Sequence, residues 1–95
     1  MELLVLSYVD DDFPVRARKL IGARRGFTFE VTGESFRQLA PHVRGTRLVD
    51  PAKLGLKPKL QALLGIVMLA DSKGLATSFE VGDDRVLVVV GVGLA

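Results

Sequence analysis

The chain contains no cysteine, no tryptophan and no asparagine among its 95 residues. Without cysteine it forms no disulfide, and small secreted domains commonly depend on disulfides, so the absence favours a reducing compartment. It also argues against zinc, which needs three or four nitrogen or sulfur ligands, since the only histidine is His42. The glycine-rich stretches lack the spacing of a phosphate-binding loop. We therefore predict no metal and no cofactor.

Long apolar runs are missing as well. The longest are far shorter than the roughly 20 residues of a membrane-spanning helix. The apolar N-terminus has no basic residues before it, and it runs into Asp10–Asp12 without a small-residue cleavage site. We expect a cytoplasmic protein with no membrane partner.

Glutamine is scarce, occurring only at Gln38 and Gln61. Depletion of asparagine, glutamine and cysteine is one trend of thermophile proteins. In a chain rich in arginine and valine, a GC-rich genome would produce the same bias. A thermophilic source and a GC-rich genome therefore both remain open.

What is present indicates one folded domain. Typical domains run from about 50 to 250 residues, so a chain of 95 residues has no room for a second core. Apolar residues make up 48% of the chain, which argues against disorder.

The N-terminal third predicts a strand and then a helix. Glu2–Val9 is apolar on both sides, which favours a strand inside a sheet. Asp12 and Pro14 are typical of a helix start, with Asp12 as the capping residue. The helix is expected to run to about Arg25 and to stop at Gly26. Its apolar face contains Phe13, Ala17, Leu20 and Ile21.

The next segments are shorter. Alternation over Phe27–Thr32 predicts a strand with one covered face. A helix over Ser35–Val43 is expected to be kinked or shortened by Pro41. Arg47–Val49 is a candidate for a short strand.

Two structures compete after Asp50-Pro51, which signals a helix start interrupted at Gly55 and renewed at Pro58. Leucines at helical spacing favour a helix through Gly65–Ala70, whereas the turn-like Asp71–Gly74 also fits a strand and hairpin. We lean to the helix, because Leu, Met and Ala outnumber the β-branched residues there.

The C-terminal third predicts a hairpin. Leu75–Val81 alternates between apolar and polar residues, Gly82–Asp84 supplies a turn, and Arg85–Val92 is the most β-prone segment. The predicted fold class is α/β (α+β), a single domain over residues 1–95. It has a small mixed sheet of about four to five strands, two to three helices and a C-terminal β-hairpin.

Val86–Val92 is apolar on both faces, and such a strand promotes aggregation when it lies exposed at an edge. It is therefore either central in its own sheet or paired with the same strand of another subunit. The second alternative predicts a homo-oligomer through the C-terminal strand.

Acidic residues follow the first predicted strand. Carboxylates at such a position suit Mg²⁺ with substrate phosphates, and Asp10 and Asp12 would project to one side of an extended backbone. Alternatively, these acids cap the following helix and stabilise its positive end. We favour capping, because no second acidic cluster lies nearby in sequence.

Basic residues cover the polar side of the first predicted helix, and no acid interrupts residues 14 to 25. Lysine and arginine on an exposed helix can neutralise phosphates, although no aromatic residue lies among them for base stacking. The alternative is a solvated face that complements the helix dipole. The candidate nucleic-acid-binding residues are Arg16, Arg18, Lys19 and Arg25.

Two functions follow from these clusters. The favoured one is a non-enzymatic binding or assembly module that uses the basic helix face on an anionic partner, either nucleic acid or an acidic protein surface. The alternative is a Mg²⁺-dependent enzyme of phosphoryl chemistry built on Asp10 and Asp12. A catalytic site needs several converging groups, and the chain offers few. No residue is predicted to be catalytic.

Overall fold

The computed structural model describes residues 3–43 and 51–91, which form four strands, three helices and one 3-10 turn. In chain order the elements are β1 (Leu4–Val5), α1 (Phe13–Gly22), β2 (Phe27–Thr32), α2 (Gly33–Val43), the 3-10 turn (Pro51–Leu54), α3 (Pro58–Ser72), β3 (Ala76–Val81) and β4 (Arg85–Gly91). The predicted class, a small mixed sheet with helices and a C-terminal hairpin, is confirmed. The candidate strand Arg47–Val49 and residue Val92 lie outside the described residues.

The strands form one sheet in the order β1-β2-β4-β3. Strand β1 runs parallel to β2, whereas β4 pairs antiparallel with β2 on one side and with β3 on the other. The apolar strand β4 is therefore interior to its own sheet. A neighbour on each side satisfies its backbone groups along its length.

The core lies between one face of this sheet and the helices. Phe29 is opposite Val88, which in turn is opposite Phe79, so the three side chains point to the same side. Phe29 and Val88 are fully buried, and the Phe13 ring packs edge-on against Phe29 with 4.8 Å between centroids. Residues on the opposite face of the sheet are exposed or half-buried. Among the described residues the helices cover one face only.

The segment Gly65–Ala70, for which the sequence left helix and strand open, is helical and belongs to α3. Six residues of α3 are buried, namely Leu60, Leu63, Leu64, Ile66, Val67 and Ala70. The helix contacts both other helices as well as β3. Contact on several sides explains why α3 is nearly uniformly apolar and why periodicity alone left its structure open.

The first strand differs from its prediction. The segment Glu2–Val9 was expected to form an interior strand, but β1 covers only Leu4–Val5 and lies at the sheet edge, where Val5 is 78% exposed. The chain leaves the sheet early, because the Asp10 N–H bonds back to the Ser7 carbonyl at 3.2 Å in a turn. Apolar character on both sides of this segment does not indicate burial here.

Helix α2 begins two residues before the predicted Ser35. The Ser35 N–H donates to Thr32 Oγ1 at 3.1 Å, which is the bond of an N-capping residue to the third helical residue. Thr32 thus ends β2 and caps α2 at once. Pro41 lies inside the helix, which extends to the predicted end at Val43, so the expected shortening at Pro41 is not found.

Candidate nucleic-acid interface

Helix α1 buries one side and exposes a basic one. Phe13, Ala17 and Ile21 are buried, and Pro14 occupies the first turn, where its missing N–H is not needed. Every charged residue from position 13 to position 29 is a lysine or an arginine. The helix therefore presents charge of a single sign to solvent.

The four predicted binding residues are all exposed, but they do not form one stripe. Arg16 and Lys19 lie three residues apart and are neighbours on the helix surface. Arg18 lies across from them, with Val15, which is 54% exposed, between the two sides. Arg25 follows the end of the helix. Within the described residues none of the four side chains forms a hydrogen bond.

The end of α1 fixes the backbones of Arg24 and Arg25. The Arg24 N–H donates to the Ile21 carbonyl at 3.0 Å, and the Arg25 N–H donates to the Leu20 carbonyl at 2.9 Å. These two bonds define a Schellman motif, which requires a left-handed residue just beyond the helix. That residue is Arg24, with φ 55°.

The expectation that α1 runs to Arg25 and stops at Gly26 is therefore wrong, since the helix ends at Gly22. Gly26 serves a different purpose. A Cβ on Gly26 would lie 2.6 Å from Leu3 Cδ2 and 3.1 Å from the Val90 carbonyl oxygen. A larger residue there would displace the Leu3 side chain and crowd the Val90 carbonyl, so glycine suits this close approach to the sheet.

The C-terminal ends of α1 and α3 lie side by side. Helix α3 ends in its own Schellman motif, with Gly74 at φ 76° in the left-handed position. Arg24 Nη2 lies 3.9 Å from the point where a Cβ on Gly74 would be. The Arg24 guanidinium thus stands at the carbonyl end of α3, where a cation is favourable.

This contact extends the basic surface. Lys73 is exposed and is next to Gly74, so it joins Arg24 and Arg25 at the shared end of the two helices. Neither Arg24 nor Lys73 was among the predicted binding residues. Lys73 belongs to a different helix, and only the parallel packing of α1 and α3 brings the two together.

The opposite ends of the same helices are mixed in charge. A cleft of about 230 Å³ separates the N-terminal ends of α1 and α3, bordered by Asp10, Asp11 and Lys59. Lys59 Nζ donates to the Val9 carbonyl at 3.4 Å. Asp12 occupies the N-cap position of α1, but its side chain makes no capping hydrogen bond. The capping bond expected of Asp12 is therefore not formed.

The candidate magnesium ligands are not joined by a third group. Among the described residues no cluster of three histidine, aspartate or glutamate side chains is placed to hold a metal ion. Asp10 and Asp12 are both exposed. Mg²⁺ is commonly bound through one or two carboxylates completed by substrate phosphates, and among the described residues no further acidic or histidine side chain completes a cluster with this pair.

Tyr8 contacts the N-terminal ends of both α1 and α3. Its hydroxyl donates to the Lys59 carbonyl at 2.8 Å, and its ring packs edge-on against Phe13 with 5.3 Å between centroids. Burial raises the pKa of the Tyr8 hydroxyl above its ordinary value. The side chain fixes the start of α3 beside the start of α1, and thereby the spacing of their opposite, basic ends.

Acidic residues collect on the uncovered face of the sheet. Glu30 and Glu80 each pair with Leu87, so the three side chains form one row across β2, β4 and β3. Asp83 and Asp84 follow in the hairpin turn and line, with this row, an open cleft of about 410 Å³ in which Arg85 is the one basic residue among the described lining residues. Positive charge on α1 and negative charge here lie on different layers of the molecule.

The chain matches no protein-family model, no curated protein and no solved structure. Any functional conclusion therefore depends on the surfaces just described. In the described part of the chain no helix is both long enough and apolar enough to cross a membrane. The exposed surface of α1, with Arg24 and Lys73 at its end, is basic, while the exposed carboxylates Asp10–Asp12 precede α1 and Asp71 lies in the last turn of α3.

Proposed function

We propose that this protein is a non-enzymatic binding module whose α1 surface engages an anionic partner, and that this partner is nucleic acid. The observation that carries the proposal is the single sign of charge on α1. Arg16, Arg18, Lys19 and Arg25 are exposed without a carboxylate between them. Such a surface attracts phosphates and releases their counterions on binding.

The surroundings of the basic surface favour contact with the backbone rather than with bases. Base stacking needs exposed aromatic rings, and Phe13, Phe27 and Phe29 are buried in the core. Phe36 and Phe79 are half-buried and pack against each other on the helical side of the sheet. We therefore expect weak sequence preference and strong dependence on salt.

The uncovered sheet face is a poor alternative surface for nucleic acid. The row containing Glu30 and Glu80, continued by Asp83 and Asp84, would repel phosphates. A nucleic acid bound to the helical layer is kept away from these carboxylates. The separation of charge supports one binding surface with a defined orientation.

The first test is a salt titration of binding to duplex and single-stranded DNA, followed by fluorescence anisotropy. If the four basic residues each neutralise one phosphate, log K against log salt has a slope of roughly −3 to −4 on duplex DNA. No binding at low salt, or affinity that does not change with salt, would refute nucleic acid as the partner. Binding to polyglutamate instead would identify an acidic protein surface.

A matched pair of variants locates the surface. Arg16→Gln with Lys19→Gln should reduce the salt slope by about two, because each lost phosphate contact reduces it by about one. Lys53→Gln with Lys57→Gln removes the same charge from exposed positions outside α1. Equal weakening by both pairs would mean that net charge, rather than the α1 surface, governs binding.

A further inference from the structure

The sheet has one long edge among the described residues. Strand β4, expected to be the site of any shared sheet, has β2 and β3 on its two sides. The edge strand β1 has only two residues, whereas the edge strand β3 has six. Of the two described edge strands, β3 is therefore the one long enough to pair with a strand of another copy of the chain.

The register identifies which backbone groups of β3 point outward. The Gly82 N–H donates to the Arg85 carbonyl at 2.8 Å at the hairpin end. Bonded pairs alternate along an antiparallel ladder, so Glu80 and Ser78 also bond to β4. The N–H and carbonyl groups of Thr77, Phe79 and Val81 consequently point away from β4, to the side of β3 where the described residues place no strand.

This edge lacks the features that prevent strands from pairing. Natural edge strands carry proline, lysine, a bulge or an inward-pointing charge, and Ala76–Val81 contains none of these. Its only charge is Glu80, which lies on the uncovered face with Leu87. Val81 at its end is 71% exposed.

We propose that a second copy of this chain pairs antiparallel with β3 about a two-fold axis at Phe79. In that register Phe79 is opposite the partner's Phe79, and Thr77 is opposite the partner's Val81. The three residues of each strand whose backbone groups point outward then lie opposite the same three residues of the partner strand. These three pairs form roughly six backbone hydrogen bonds. The axis stands perpendicular to the sheet, so both helical layers remain on the same side.

The charges of β3 are compatible with a second copy as the occupant. The register sets Glu80 opposite the partner's Ser78 on the uncovered face, so no two carboxylates meet across the interface. Each exposed Val81 packs beside the partner's Thr77 on the helical side. The two-fold symmetry repeats both arrangements, which is how the commonest soluble oligomers are built.

Charge substitution at Ser78 tests both the partner and the register. Ser78 is exposed and its side chain faces away from the core, so its replacement should not affect folding. Ser78→Lys places an ammonium opposite the partner's Glu80 and should tighten the dimer, whereas Ser78→Glu should weaken it. Since the pair occurs twice, we expect roughly a two- to thirty-fold change in each direction. Ser78→Gln is the uncharged control.

The measurement is sedimentation equilibrium of the whole chain without nucleic acid, so its result is independent of the proposed function. We expect a species of twice the 10.3 kDa mass of one chain. Val81→Pro removes an outward N–H and should give a monomer, while Val81→Thr keeps that N–H and should remain dimeric. A wild-type monomer at all concentrations would overturn the proposal. So would weakening by both Ser78 charges, or a dimer that no β3 variant alters.

Discussion

Residue 24 offers a direct test of how α1 ends. Arg24 takes a left-handed conformation, with φ 55°, that L-residues adopt at a cost and glycine adopts freely. Arg24→Gly removes the strain together with the charge. Arg24→Ala removes the charge but keeps the strain. The difference between these two variants therefore isolates the backbone contribution.

The expected magnitude follows from two opposing contributions. A left-handed L-residue costs roughly 1–2 kcal/mol in the folded state. Glycine increases the freedom of the unfolded chain, which costs about 0.4–1 kcal/mol. The free energy of unfolding of Arg24→Gly should therefore be about 0.5–1 kcal/mol higher than that of Arg24→Ala, which makes the glycine variant the more stable one. In a domain of this size that difference raises Tm by roughly 2–8 °C.

The assay is urea denaturation, with the slope m compared between variants. Gly65→Ala is the control, because there the change from glycine to alanine should stabilise the protein. Gly65 lies in the middle of α3 without a positive φ, and a Cβ there would meet nothing within 4 Å. Alanine should stabilise the protein by about 0.5–1 kcal/mol at that position. If Arg24→Ala is as stable as Arg24→Gly, the left-handed end of α1 is not present in solution.

Two further predictions concern the opposite ends of α3. Gly74→Ala should lower the free energy of unfolding by about 1 kcal/mol, because Gly74 holds the left-handed position after α3 with φ 76°; an unchanged urea midpoint would contradict the motif there. Tyr8→Phe should cost about 1 kcal/mol through loss of the 2.8 Å bond to the Lys59 carbonyl. Because the folded-state pKa of Tyr8 lies above the ordinary value of 10.0, the stability that the neutral Tyr8 hydroxyl contributes is complete below pH 10.0 and is lost as pH rises through the folded-state pKa. Tyrosinate absorbance reports this titration directly, since Tyr8 is the only tyrosine, and the stability advantage of wild type over Tyr8→Phe should fall as pH rises through that pKa.

The sequence predicted the elements whose side-chain pattern has a clear period. Phe27–Thr32 alternates because one face of β2 meets the core, and the same holds for β3 with Thr77 and Phe79 inward. The hairpin turn Gly82–Asp84 stands where expected. Local pattern sufficed for these elements, because burial on one face imposes a period that can be read without knowing the partner.

Prediction failed where position in the sheet decided the outcome. The first strand reads as interior from its apolar residues, yet it lies at an edge with Val5 exposed. No local feature distinguishes an apolar edge strand from a central one. Similarly, the sequence predicts Gly26 as a helix stop, but the helix ends at Gly22 and Gly26 instead lies close to Leu3 and the Val90 carbonyl.

The candidate binding surface divides in the same way. Exposure of Arg16, Arg18 and Lys19 followed from the helical period, because the buried residues Phe13, Ala17 and Ile21 leave them the opposite side, whereas Arg25 lies beyond the end of the helix. The helical period did not predict that Lys73 lies on the same surface. This placement depends on α1 and α3 packing in parallel, which brings residues distant in the chain to one end of the molecule.

By itself, the sequence determined the class of the domain, the helix and strand periods, and the single sign of charge on α1. These properties depend on local composition and on which side of each element is apolar. The tertiary structure decided that β4 lies between β2 and β3, that β3 is the long edge among the described strands, and that Glu30 and Glu80 lie on the sheet face away from the helices. Each of these depends on which elements become neighbours. The energy gained when a strand or helix packs depends on its partner as well as on the element itself, and the residues of one element do not specify that partner.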